Sequence, residues 1–105
     1  MIASLKKILG FGTPTNYAEL VKSGAIIVDV RSKDEFAGGH IKGAINIPVD
    51  QLNRHLSKFP NKNQVIITCC ASGMRSGVAK STLSSNGYTQ VYNGGSWRNL
   101  QQKIC

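Results

Sequence analysis

The chain has 105 residues, enough for one domain that buries roughly two-thirds of the surface its unfolded form would expose. With 41% hydrophobic and 17% charged residues it has the composition of an ordinary globular protein, which excludes a disordered or fibrous chain. Thirteen Lys plus Arg against five Asp plus Glu give a net charge of +8. That field attracts anions, but the basic residues are scattered and never form the run that marks a nucleic-acid arm. The three cysteines, two of them adjacent and one at the C-terminus, are a poor disulfide framework. They point to a reducing, cytoplasmic setting. The N-terminal stretch carries Lys6 and Lys7 inside its apolar part and fails as a signal peptide, and no apolar stretch is long enough to span a bilayer. A soluble monomer with neither nucleic acid nor membrane as partner is expected.

In chain order, residues 1–12 form an appendage with a short amphipathic helix, Leu5, Ile8 and Leu9 on one side and Lys6 and Lys7 on the other; residues 13–105 form the domain. A brief extended segment over residues 11–14 precedes Asn16 and Glu19, a capping pair for a helix that Gly24 ends. Residues 25–30 are a continuous apolar, β-branched run, the signature of a strand covered on both faces. Ser32 and Glu35 repeat the capping-box spacing, with Gly38 and Gly39 as the stop. A strand over residues 43–48 ends at proline, and Asp50 caps a third helix whose Leu52, Leu56 and Phe59 share a face. Residues 64–68 are another buried strand. Residues 75–86 form a helix with Val78, Ala79, Thr82 and Leu83 inward, closed by Gly87. A last strand covers residues 89–92, after which Gly94 and Gly95 turn the chain into a helix striped by Trp97, Leu100 and Ile104. Strands alternating with helices predict an α/β fold, a mostly parallel sheet with helices on both faces.

Ligands in such sheets gather where the strands end. Cys70 leaves a strand there, followed by the small residues Ala71, Ser72 and Gly73 and then by a helix start. Converging amides at that turn make a nest for an anion, and they lower a cysteine pKa from about 8.5 into the range of roughly 3.5 to 7.5. Arg75 adds a permanent charge with a planar fork of donors, Gly73 accepts a positive φ, and Ser72 and Ser76 offer hydroxyls. The reading requires a sulfur that is both ionised and reachable from water; the plain alternative is a buried structural cysteine.

The run Cys70, Ala71, Ser72, Gly73, Met74, Arg75, Ser76 resembles the active-site loop of the rhodanese family of sulfurtransferases. Upstream, Asp29, Arg31, Glu35, Phe36, Gly39, His40, Ile41, Gly43, Ala44, Asn46 and Pro48 resemble its first signature; Gly87, Tyr88, Gly94, Gly95 and Trp97 resemble its C-terminal one. The resemblance implies a rhodanese-like fold with a five-stranded sheet. It implies Cys70 and Arg75 as catalytic residues, and Ala71, Ser72, Gly73, Met74 and Ser76 as the substrate-binding loop. It also implies transfer of sulfane sulfur from thiosulfate or a persulfide, through a Cys70 persulfide, to cyanide or a thiol, with a sulfur-relay protein as a further partner. Neither metal nor organic cofactor is expected. Because Ala71 and Met74 add no charge, thiosulfate activity is expected to be modest and a persulfide or polysulfide to be the donor.

Counted from Cys69 instead, five residues precede Arg75, the spacing of cysteine phosphatases and arsenate reductases. No histidine precedes the cysteine and no acid is evident for the leaving group. An inactive interaction module of the same fold is the other alternative. Cys69 is expected to point to the opposite face from Cys70, and Cys105 to be incidental. The resemblance gives Asp29, Arg31, Glu35 and His40 a structural role. His55 is expected to be solvated, and Trp97 to be a core anchor near the site.

Overall fold

A computed structural model describes residues 15–105. The expected N-terminal helix and the extended segment at residues 11–14 lie outside the described residues. Helix α1 (Tyr17–Lys22) is capped by the Asn16 side chain, which accepts from the Glu19 amide at 3.1 Å. Strand β1 (Ile26–Asp29) follows, then α2 (Lys33–Ala37), whose capping box is complete: Ser32 accepts from the Glu35 amide and Glu35 accepts from the Ser32 amide. Strand β2 (Ile45–Asn46) is only two residues long. After a 3-10 segment (Val49–Lys58) come β3 (Ile66–Cys70), α3 (Met74–Ser85), β4 (Val91–Ser96) and α4 (Trp97–Ile104).

Every pairing is parallel, in the order β2-β1-β3-β4. Two apolar layers cover the sheet, as the α/β reading requires. On one face Val28, Ile66 and Cys70 pack with Leu52 and Phe59 of the 3-10 region and with Ala79 and Leu83 of α3. On the other, Ile27, Ile67 and Cys69 pack with Leu100, Trp97 and Ile104 of α4 and with Tyr17 and Leu20 of α1. The two adjacent cysteines thus face opposite layers, the period-2 consequence of sitting in one strand.

Several expectations need correction. The described residues hold four strands, not five, and the remaining expected segment falls at residues 11–14. The third helix is 3-10, with a non-helical break at His55; Pro48 occupies its cap position without a side-chain bond, and Asp50 lies inside the first turn. Leu52, Leu56 and Phe59 still pack as expected. Strand β3 runs two residues further than expected, so Cys70 is its last residue rather than the second beyond it. Val78 is 59% exposed, and Ser76 faces inward in its stead. Gly94 and Gly95 extend β4 instead of ending it, and Ser96 caps α4 directly by accepting from the Asn99 amide.

Candidate active site

Three parallel strands deliver their C-terminal ends to one edge, and side chains far apart in sequence meet there. Asp29 and Arg31, at the end of β1, form a buried pair: Arg31 Nε donates to Oδ1 at 3.0 Å and Nη2 to Oδ2 at 2.7 Å. The rest of the guanidinium donates to the carbonyls of Glu35 and Gly39, and Trp97 lies with its ring 4.7 Å from the same group. This network fixes the connection from β1 through α2, the structural role expected of the block. His40, exposed and stacked on Phe36, bonds the Phe36 carbonyl and reaches nothing in the loop.

At the end of β3 the Cys70 sulfur sits under a turn that hands the chain to α3. Gly73 makes the turn with φ of +102°, a conformation that costs a side-chain-bearing residue steric energy. Its amide donates to the sulfur at 3.0 Å and the Ser76 amide donates at 3.4 Å, with Ser76 Oγ 3.5 Å away. Burial pushes the thiol up, but the bonds from the Ser76 hydroxyl and amide and from the Gly73 and Ser72 amides outweigh it, leaving the group below its ordinary value. Cys69 goes the other way. Burial, helped by the Asp29 charge and only partly offset by Arg31, pushes its thiol up to about 12.

The expected loop residues divide into two sets. Cys70, Gly73 and Ser76 come together around the sulfur, with Ser72 contributing its amide. Ala71 and Ser72 are exposed, and Met74, 81% exposed, points to solvent. The Arg75 fork is spent elsewhere: Nη1 and Nη2 donate to the two carboxylate oxygens of Glu35 at 2.7 and 3.0 Å, tying the loop to α2. A sulfur open to water was expected, yet Cys70 is 1% exposed. Two amide donors within 3.4 Å and a hydroxyl oxygen at 3.5 Å crowd the sulfur and cover it.

Sequence reading missed two partners. Asn93, on β4, accepts from Ser76 Oγ at 2.6 Å and from the Gly95 amide at 2.9 Å, and donates to the Gly73 carbonyl at 3.2 Å. Thr68 Oγ1 donates to the Ser76 carbonyl at 2.9 Å. The position of Asn93 beside two glycines in the strand next to β3 was the only available signal. Beside the loop lies an open cleft of about 490 Å3, with Ser72, Gly73 and Met74 on one side and Asn93, Asn99 and Lys103 on the other.

Parallel strands with helices on both faces define the class as α/β, with a thiol held by amides at a strand-to-helix turn. The rhodanese-like domain pattern matches residues 13–102, and the chain belongs to that family. It is 44% identical over 69 residues to the uncharacterized protein YqhL of Bacillus subtilis, covering 66% of this chain but 54% of YqhL, about half its length. It is 36% identical over 74 residues to the thiosulfate sulfurtransferase PspE of Escherichia coli, covering 70% of this chain and 71% of PspE. The solved structure of the human single-domain sulfurtransferase TSTD1 superposes with a TM-score of 0.68 at 31% identity, over 88% of this chain and 98% of that one. Among the described residues no helix is long and apolar enough to cross a membrane.

Proposed function

We propose that the chain is a sulfurtransferase whose nucleophile is Cys70 and whose substrate loop is Ala71, Ser72, Gly73, Met74 and Ser76, with residues 13–105 as the catalytic domain and residues 1–12 as its appendage. One observation carries the choice of nucleophile: of two adjacent cysteines, Cys70 has the Gly73 and Ser76 amides donating to its sulfur at 3.0 and 3.4 Å, whereas Cys69 lies in the apolar layer, where burial first and the Asp29 charge next raise its thiol. The Cys70 thiolate attacks the outer sulfur of thiosulfate or of a persulfide. A new sulfur–sulfur bond forms as the donor's own breaks, and the electron pair leaves on sulfite or on the donor thiolate. A thiol or cyanide then attacks the terminal sulfur and restores the thiolate. Cys70 is covered beneath the loop that carries Gly73 and Ser76, so the reading requires that a donor gain access to a sulfur the fold leaves 1% exposed. Arg75 acts by bracing that loop through Glu35 and by adding its charge near the incoming anion. Its charge is shared with Glu35 and the loop brings no other cation, which favours a persulfide or polysulfide over thiosulfate as donor. The reaction is placed in the cytoplasm, where thiols stay reduced.

Mass spectrometry after incubation with thiosulfate or a polysulfide tests the reading. A gain of about 32 Da, one sulfur atom, is expected on Cys70 and is lost in Cys70→Ser but kept in Cys69→Ser. No gain, or a gain on Cys69, would overturn it; no gain together with turnover of p-nitrophenyl phosphate would favour phosphatase chemistry.

A further inference from the structure

Ser76 carries one hydroxyl proton, and two groups compete for it. Its oxygen is 2.6 Å from Asn93 Oδ1 and 3.5 Å from the Cys70 sulfur. Ser76 is fully buried, so water does not supply an alternative partner. We propose that Asn93 is a positioning residue: its Oδ1 holds the Ser76 hydroxyl proton whenever the Cys70 sulfur is uncharged and yields it when the sulfur ionises. This rests on Cys70 being the nucleophile.

The states follow from donor and acceptor counting. With Cys70 as a thiol, S–H donates to Ser76 Oγ and Ser76 O–H donates to Asn93 Oδ1, so every group is satisfied. With Cys70 as a thiolate, the hydroxyl rotates to donate to the sulfur. No covalent bond breaks, and Asn93 Oδ1 keeps the Gly95 amide as a donor at 2.9 Å. In the persulfide the charge moves one atom outward, the inner sulfur is again uncharged, and the hydroxyl returns to Asn93. The other two Asn93 bonds have substitutes. The Gly73 carbonyl also accepts from the Gly77 amide at 3.1 Å, and Asn93 is itself exposed, so water can serve the Gly95 amide. The bond to Ser76 is therefore the one with consequences at the sulfur.

Near the sulfur are Arg75 of α3, paired with Glu35 of α2, and Cys69 on β3 itself; facing Asn93 are Tyr17 of α1, whose hydroxyl donates to the Asn93 carbonyl at 3.2 Å, and Lys103 of α4 across the cleft. The Arg75–Glu35 pair is internally compensated. The test is the pH dependence of Cys70 alkylation by iodoacetamide, resolved from Cys69 and Cys105 by peptide mass spectrometry. Asn93→Leu matches the branched shape without an acceptor and frees the hydroxyl for the thiolate, so the alkylation midpoint should fall by about 0.5 to 1 pH unit. Asn93→Asp accepts more strongly and adds negative charge, so the midpoint should rise by at least as much. In a Ser76→Ala background Asn93→Leu should have no further effect. Shifts of the same sign for Leu and Asp, no shift in either, or an undiminished Leu effect without the hydroxyl would overturn the inference. Failure of Cys70 to take up sulfur in the unmodified protein would instead strike the sulfurtransferase reading, and the alkylation series would still report on Asn93.

Discussion

Cys69 and Cys70 share a strand and differ in acidity because period-2 alternation sends them to different surroundings. Cys69 enters the apolar layer beside Asp29, and Cys70 enters the amide turn. For Cys70 the ionised form is favoured in the fold, so its alkylation should follow pH with a midpoint below the ordinary value of about 8.5, falling off as pH drops through that midpoint. The depression stabilises the fold fully above the unfolded value and is lost as pH falls through the folded one. Glu35 follows the same sign: the Arg75 fork first, and the Ser32 amide next, lower its pKa to about 2. Its contribution is present above about pH 4.3, the unfolded value, and is lost on descent towards pH 2. Urea unfolding between pH 5 and pH 2 should accordingly show a shallower acid loss in Glu35→Gln than in the unmodified protein, and equal slopes would contradict the pairing. The effect is small because both partners are more than a third exposed.

At the scale of elements, the sheet edge tolerates little change. Gly94 lies where a Cβ would come within 2.9 Å of Ile67, Leu100 and the Thr68 carbonyl. Backbone is among the obstacles, so Gly94→Ala should destabilise by about 1–3 kcal/mol in urea titration; a neutral result would mean that β4 packs differently against α4. Asp29→Ala leaves a buried guanidinium without its partner, with an expected loss of about 3–5 kcal/mol by the same measurement. The caps of α1 and α2 were legible because Asn16, Ser32 and Glu35 bond amides three residues away, a distance that sequence spacing encodes. The 3-10 segment was not legible. Apolar spacings of three and four suit either helix, and the break at His55 falls between Leu52 and Phe59, both of which reach the core. Val78 was misplaced because hydrophobicity says that a residue prefers burial, whereas helix phase decides which residue gets it.

For the whole molecule, a charge of +8 spread over 105 residues should speed the arrival of thiosulfate. The second-order rate of sulfur uptake should fall as salt rises from about 0.01 to 0.15 M, over which the Debye length shrinks from roughly 30 to 8 Å. Alkylation by uncharged iodoacetamide should hardly change, and equal salt dependence of the two would remove steering from the account. The sequence by itself determined the alternation of strands and helices, the local caps, and the cysteine turn with its glycine, because each depends on residues within a few positions of one another. Only the tertiary structure decided that Arg75 spends its fork on Glu35, 40 residues away, and that Asn93, 17 residues from Ser76, reaches the hydroxyl beside the sulfur. It also decided that the sulfur lies covered at rest. Those partnerships arise where β3 and β4 bring their C-terminal ends to one edge beside β1, from which α2 departs. Sequence spacing carries no information about which side chains the strand order will set facing one another.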